Sequence, residues 1–198
     1  MKILDLGCGL RKYVGGSRDV VIGLDRVKTP AADVVFDIDS RRPLPFPPDS
    51  FDLVYANHVF EHIADVMFLL EEAHRILKPG GKLVINTPHF SSSDFYIDPT
   101  HKHPFASQSF DYFDPSTHLG SSFGFYSKAK FRILEKRIVF GWLPYALLFG
   151  LLANRFRGFY ESKLAFIFPA ASLHFEMVPL KKRKRAYLTS SFEKPLKK

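Results

Sequence analysis

The first half of the chain alternates short apolar runs with polar connections, a pattern typical of an α/β sheet with mostly parallel strands. Continuous apolar runs suit strands that are buried on both faces. We predict strands at Lys2–Leu6, Val20–Asp25, Val34–Asp37, Asp52–Ala56 and Lys82–Thr87. Residues 64–78 carry apolar side chains at helical spacing, and the turn Pro79-Gly80-Gly81 ends this helix before the fifth strand.

The second half shows a different pattern. Phe131–Phe140 and Ala186–Phe192 are predicted as the sixth and seventh strands, which would form an antiparallel end of the sheet. Between them, residues 138–185 form an apolar and basic insertion that has no charge from 138 to 153 and ends in five basic residues at 181–185. We interpret it either as an element lying in the headgroup region of an anionic membrane or as a lid on the sheet, because its uncharged part is short for a spanning helix.

The first apolar run, Ile3 to Gly9, ends in an acid and a Gly-x-Gly turn. Two glycines remove the Cβ atoms that would keep a ligand away from the backbone. A dinucleotide fingerprint needs a third glycine, and Lys12 stands at that position. Asp5 would repel a pyrophosphate but favour a ligand that carries an ammonium and a sulfonium. The turn therefore predicts S-adenosylmethionine as the cofactor rather than NAD.

Five stretches occur in the order expected of one known family: ILDLGCG, VIGLD, VVFDID, FDLVYANHVFEHI and LKPGGKLVINTP. With them the chain resembles the class I S-adenosylmethionine-dependent methyltransferases of the type 11 kind, from Met1 to about Pro88. The resemblance implies a Rossmann-like sheet in three αβα layers, here without the usual N-terminal helix. It also implies one methyltransferase domain over residues 1–198, with its cofactor-binding half at 1–88.

The resemblance also implies which residues bind the cofactor. Asp25 ends the second strand, where a carboxylate can accept hydrogen bonds from both ribose hydroxyls. Asp37, or the backbone at Ile38, would face the adenine amino group, and Asp39 competes for this assignment. The full predicted set is Asp5, Gly7, Cys8, Gly9, Asp25, Arg26, Asp37, Ile38, Asn57 and His58.

Residues 89–118 follow the family pattern less closely and are predicted to form an ordered loop over the pocket. Asp98-Pro99-Thr100-His101 is similar to a DPTH segment of some small methyltransferases. His101 is the first candidate for a general base, and His62 is the second. The alternatives are a turn stabilised by Asp98 and Thr100, or a metal site; no metal is predicted, because the chain lacks short-spaced cysteine pairs and an HExxH motif.

Charge is distributed unevenly along the 198 residues. Residues 1–120 hold 12 Lys and Arg against 16 Asp and Glu, a net charge of −4, and residues 121–198 hold 16 against 4, a net charge of +12. The basic half suits an anionic membrane surface, and nucleic acid is less favoured because the aromatic residues are not interleaved with basic ones. A single cysteine, Cys8, and no leader pattern predict a cytoplasmic protein, peripheral at the inner face of the membrane.

Together these features predict methyl transfer to a hydroxyl or amine of a lipid, a lipid-linked glycan or another small molecule. An RNA methyltransferase is the alternative within enzymes. A non-catalytic, cofactor-binding partner subunit is the alternative from another class. The first strand begins at Lys2, which leaves the pocket without its usual N-terminal cover, and a partner protein could supply that cover.

Overall fold

The computed structural model describes residues 1–141 and 143–181. Its centre is a seven-stranded sheet with the order β3-β2-β1-β4-β5-β7-β6. The strands are β1 Lys2–Leu6, β2 Val20–Asp25, β3 Val34–Val35, β4 Phe51–Asn57, β5 Leu77–Pro88, β6 Phe131–Val139 and β7 Ser172–Pro179. Strands β1 to β5 pair in parallel, and β7 runs antiparallel to both β5 and β6. This confirms the predicted Rossmann-like sheet, mostly parallel with an antiparallel last strand.

Five helices accompany the sheet in the described part of the chain. They are α1 Val66–Ile76, α2 Ser93–Ile97, α3 His118–Phe123, α4 Leu143–Arg155 and α5 Arg157–Phe159, which continues into a π-helical turn at Tyr160–Leu164. Helix α1 begins where the Asp65 side chain accepts a hydrogen bond from the Phe68 amide at 3.0 Å. The apolar stripe of α1 is buried, as its spacing predicted. At the C-terminal end of α1, Lys181 donates hydrogen bonds to the carbonyls of Arg75 and Leu77.

The β1–β2 and β2–β3 crossovers contain no helix, since residues 7–19 and 26–33 are described as loops and turns. A three-layer sheet usually has helices at these places. Here Tyr13 takes over part of that role: its amide donates to Asp5 Oδ2 at 2.7 Å, and its ring centroid lies 4.6 Å from that of Tyr55. The sheet over β1 is therefore covered in part by a loop.

Three strands differ from the sequence prediction by more than one residue. Strand β5 begins at Leu77 instead of Lys82 and includes the predicted turn Pro79-Gly80-Gly81. Strand β3 ends at Val35 instead of Asp37, because Asp37 caps the turn Ile38–Ser40 by accepting from the Asp39 amide. The seventh strand is Ser172–Pro179, and the predicted Ala186–Phe192 lies outside the described residues. Ser172–Pro179 alternates half-buried and buried positions, which is the period of a strand. Its first two residues also belong to the apolar stretch 164–173, so the sequence pattern did not show where the strand begins.

The insertion between β6 and β7 therefore covers residues 140–171, and most of the basic run 181–185 lies outside the described residues. The Asn154 amide binds the backbone of Ile138 through both its oxygen and its nitrogen, at 2.8 Å each. Phe149 stacks on Phe168 at 4.6 Å. No helix in the described part of the chain has the length and hydropathy needed to cross a bilayer.

The 89–118 segment is anchored to the sheet by aromatic side chains. Phe105 stacks on Phe110 at 5.3 Å, and Phe110 meets Phe175 of β7 edge-on at 4.8 Å. All three rings are buried. Aromatic pairs at these distances favour a single arrangement. The segment that carries Thr100 and His101 is therefore held in one position on the sheet.

Glu161 joins this segment to the insertion, and its environment predicts an acid-sensitive contact. Burial alone would raise its pKa, but hydrogen bonds from His89, the Ser107 amide and the Ser107 hydroxyl outweigh burial and lower the pKa below its ordinary value of 4.5. Because the folded state favours the ionised carboxylate, its contribution to stability is present above the unfolded pKa and is lost as pH falls through the folded pKa.

We therefore expect Glu161→Gln to lower the free energy of unfolding at neutral pH and to lose part of the acid dependence of wild type. Urea unfolding at about pH 7 and about pH 4 measures both effects. The difference between the two proteins should be smaller at the lower pH. An equal difference at both pH values would contradict the lowered pKa of Glu161.

Candidate active site

A cavity lies at the carboxyl ends of β1, β2 and β4, the place where open α/β sheets bind ligands. Of the ten residues predicted to bind the cofactor, six line it: Gly7, Asp25, Arg26, Asp37, Ile38 and His58. Thr100 and Lys102 of the 89–118 segment also line it. The structure thus brings together residues that end or follow the first four strands and residues from the segment predicted to lie over the pocket.

The glycine turn that follows β1 adopts a backbone conformation that glycine favours. Gly7 has φ 71° and Gly9 has φ 57°, both in the left-handed region. A Cβ atom on Gly7 would lie 2.5 Å from Cγ2 of Val59, which is too close for any residue other than glycine. The amides of Gly7 and Cys8 both donate to the Leu24 carbonyl, so the turn is fixed against the end of β2.

Asp25 holds the other side of this turn. Its Oδ2 accepts from the Gly9 amide at 2.9 Å, and its Oδ1 accepts from the Val27 amide at 3.0 Å. An ionised carboxylate has about four acceptor positions, so two remain for ligand hydroxyls. The geometry is therefore compatible with the predicted ribose contact, and it gives Asp25 the second task of shaping the turn.

Four predicted cofactor residues do not line the cavity. Asp5 is buried behind the turn, where burial raises its pKa despite the hydrogen bond from the Tyr13 amide. Burial likewise raises the pKa of the Cys8 thiol. The Gly9 backbone amide donates to Asp25, and Asn57 Oδ1 accepts from the side-chain Nδ2 of Asn86 at 3.1 Å. These four residues lie outside the cavity lining, in or next to the glycine turn and at the end of β4, and stabilise both.

The contacts of Asp37 and Asp39 show which of the two carboxylates is more available to a ligand. Both line the cavity, but both carboxylate oxygens of Asp39 bind protein groups: Oδ1 accepts from the Ala64 amide at 2.7 Å and Oδ2 from Lys102 at 2.5 Å. Burial opposes ionisation of Asp39, yet these contacts outweigh it and lower its pKa. Asp37 therefore remains the better candidate for contact with a ligand.

His58 and Glu61 form a pair beside the cavity that sequence reasoning did not single out as such. His58 has φ 55°, a strained conformation for a residue other than glycine. Its Nδ1 lies 3.2 Å from Oε1 of Glu61, which is fully buried, and this carboxylate raises the pKa of His58. The sequence did offer a signal for this pair, because Glu61 stands inside the apolar run VFEHI. A carboxylate in such a run is expected to be buried, and a buried carboxylate needs a partner.

The two candidate bases occupy different environments. His62 lines the cavity and its Nδ1 lies 2.9 Å from the Thr100 hydroxyl. His101 does not line the cavity; its side chain is 7% exposed and its Nδ1 donates to the Phe95 carbonyl at 2.9 Å. Their ring centroids are 4.6 Å apart. Asp98 accepts from both the amide and the hydroxyl of Thr100, so the DPTH segment forms the predicted turn.

With this geometry established, comparison with known proteins identifies the family. Residues 4–85 match the family described as Methyltransferase domain. This part of the chain is similar to that family. The matched range contains the Gly7 turn, Asp25 and the Glu61 pair, so the methyltransferase match covers the cofactor side of the cavity. It confirms the predicted resemblance to class I methyltransferases.

Individual relatives agree with this assignment. The chain is 32% identical over 101 residues to methyltransferase GfsG of Streptomyces halstedii, covering 42% of this chain and 36% of that protein. It is 35% identical over 105 residues to the mitochondrial ubiquinone biosynthesis O-methyltransferase of Homo sapiens, covering 44% and 28%. The chain thus spans about a third of the length of these curated relatives.

A solved structure extends the likeness to the whole methyltransferase fold. It is the complex of the Haloferax volcanii Trm112 methyltransferase activator with a protein assigned as a methyltransferase. The TM-score is 0.55, with 20% identity, over 91% of this chain and 82% of that one. At this identity the likeness establishes the fold, and it extends past the family match into the insertion.

Proposed function

We propose that the protein is an S-adenosylmethionine-dependent methyltransferase acting on a hydroxyl or amine of a lipid, lipid-linked glycan or other hydrophobic small molecule at a membrane surface. The observation that carries the methyltransferase part is the shared cavity of the Gly7 turn, Asp25 and Asp37 at the end of a methyltransferase sheet. These residues would hold the cofactor. S-adenosylmethionine, when bound, supplies a methyl group activated by its sulfonium.

The cavity fits a ligand with both a positive charge and hydroxyl groups. Three carboxylates line it, those of Asp25, Asp37 and Asp39, against the cations Arg26 and Lys102. Because Lys102 is paired with Asp39, the charge left for a ligand is negative on balance. A pyrophosphate would be disfavoured there, which supports S-adenosylmethionine over a dinucleotide. The named relatives include O-methyltransferases, which supports transfer to oxygen.

The membrane part of the proposal rests on the surface of the insertion. Six large apolar side chains there each expose more than half of their surface: Leu151, Leu152, Phe156, Phe159, Phe166 and Ile167. We call them the apolar surface. Arg155 and Lys163 are exposed among them. Apolar groups bordered by cations suit the boundary between anionic headgroups and acyl chains.

Transfer of labelled methyl groups to the components of a cell extract tests the enzymatic proposal. Wild type and Asp25→Ala are incubated with methyl-labelled S-adenosylmethionine and a cell extract, which is then separated into lipid, glycan, RNA and protein fractions. We expect label in the lipid or glycan fraction with wild type alone. Label in RNA would favour the RNA methyltransferase, and no label in any fraction would favour the non-catalytic cofactor-binding subunit.

The membrane part has its own prediction. Replacing Leu151, Phe159 and Phe166 together by serine should weaken sedimentation with anionic phosphatidylglycerol vesicles at least about tenfold, since each buried apolar side chain contributes about 1 kcal/mol or more. The matched control replaces Val14, Val20 and Leu134, which are exposed elsewhere. Equal loss in both variants, or no sedimentation of wild type at low salt, would remove the membrane from the proposal.

A further inference from the structure

Three side chains with metal-binding atoms meet beside the cavity. One ligand atom from each of Glu61, His62 and His101 lies within 4.8 Å of the other two. They come from separate places in the sequence, the turn after β4 and the DPTH segment. The Lys102 amide donates to the Glu61 carbonyl at 2.7 Å and so holds the two segments together.

The hydrogen bonds of the two histidines define which ring nitrogen is free. The Thr100 hydroxyl donates to Asp98 Oδ1 at 2.7 Å, so its oxygen accepts from Nδ1–H of His62. His101 Nδ1 faces the Phe95 carbonyl, which can only accept, and is therefore also protonated. In the neutral rings both lone pairs are on Nε2, and in His101 this atom also lies 4.0 Å from Asp98 Oδ2. Histidines that bind metals commonly donate their other nitrogen to a supporting group in this way.

Glu61 is the buried member of this cluster. It is fully buried, and its Oε2 accepts from the Thr87 hydroxyl at 3.0 Å. Its Oε1 accepts no hydrogen bond from the residues that the structure describes, although His58 Nδ1 approaches it. His58 therefore compensates this buried carboxylate only in part, and a bound cation would add to that compensation.

We propose that Glu61, His62 and His101 bind one divalent transition metal ion. Two imidazole nitrogens and one carboxylate oxygen are a ligand set of zinc and its neighbours, and three protein ligands leave a position open. His62 reaches the cavity, so the open position faces it. Only the further role of that position, binding an oxygen of the methyl acceptor, depends on the proposed function; metal binding does not.

The site escapes prediction from sequence because its spacing is irregular. Glu61 and His62 are adjacent, and His101 lies 39 positions further along. Two other histidines of residues 89–118 have different contacts: His103 has its Nε2 3.2 Å from the Ala64 carbonyl, and His89 contacts Glu161. The proposal gives His62 and His101 a role as metal ligands, and the general-base role remains a separate prediction for them.

Metal titration of the full chain tests the proposal without any methyl acceptor. Chelator-treated protein is titrated with Co²⁺, followed by visible absorption, and with Zn²⁺, followed by calorimetry. We expect one site per chain. His62→Ala and His101→Ala should each weaken it by no less than the roughly 10- to 100-fold that loss of an outer-shell partner costs.

Two controls locate the metal. His103→Ala changes a histidine of the same segment and should leave affinity unchanged. His174→Ala probes a second group, Glu135, His174 and Glu176, which lies on β6 and β7. Circular dichroism and thermal unfolding verify that each variant is folded.

The outcomes separate cleanly. Loss of the site in His62→Ala and His101→Ala, with His103→Ala intact, supports the proposal. No stoichiometric uptake by wild type, equal weakening in His103→Ala, or loss only in His174→Ala would overturn it. Absence of methyl transfer with this metal site present would count against the proposed function and leave the metal site standing.

Discussion

Asp25→Ala should lose most of its affinity for S-adenosylhomocysteine, by roughly 10- to 150-fold, because charge-assisted hydrogen bonds contribute about 1.5–3 kcal/mol. The change acts in two ways. It removes the carboxylate predicted to accept from the ribose, and it leaves the Gly9 amide without its acceptor. Calorimetry with the purified variant measures the loss, and the circular dichroism spectrum should remain that of wild type.

Two further variants separate these effects. Asp25→Asn keeps the shape and one acceptor oxygen, so it should lose less affinity than the alanine variant. Asp19→Ala makes the same change just before β2, where the side chain accepts from the Gly16 amide far from the cavity, and should bind normally. Unchanged affinity in Asp25→Ala would show that the cofactor pocket is assigned to the wrong residues.

Gly120→Ala should destabilise the fold by about 3 kcal/mol, within the range for overpacking a tight contact. Gly120 lies in α3, and a Cβ there would meet the Asp114 carbonyl at 1.9 Å and the Asp111 carbonyl at 2.7 Å. Neither can move freely, because Thr117 binds both carbonyls and the Asp114 side chain binds the Ile133 amide. The added methyl must therefore displace α3 or the turn beneath it.

Thermal unfolding measures this effect as a decrease in Tm of roughly 6–12 °C for a chain of this size. Gly150→Ala is the matched control, since it is also in a helix and no described atom lies within 4 Å of its added Cβ. That variant should be unchanged or more stable by up to about 1 kcal/mol, owing to helix propensity. Similar decreases in both variants would contradict the proposed clash.

The sequence predicted the cofactor half of the sheet well because its signals are local. Strands β1 and β2 have the predicted bounds, since each is a short apolar run with an acid at or next to its last residue. The glycine turn and Asp25 follow directly from those strand ends. Such features depend on neighbouring residues, which can be recognised without knowing what packs against them.

The second half was less predictable because its elements are defined by distant contacts. The strand Ser172–Pro179 is recognisable by its place between β5 and β6, more than 80 residues from the first of these in sequence. Glu61 and His101 likewise become neighbours only after the 89–118 segment is anchored by Phe105 and Phe110. No local sequence pattern encodes these contacts. Strand propensity therefore favoured Ala186–Phe192 as the seventh strand instead.

The position of β7 has a consequence for the order in which the protein folds. Among the described strands β6 pairs with β7 alone, so β6 has no hydrogen-bonded neighbour until the last strand arrives. Phe110 also packs on Phe175 of that strand, which means that the segment over the cavity waits for it too. Such long-range closure is slow compared with local pairing. A nascent chain would hold its glycine turn early and assemble the histidine side of the site last.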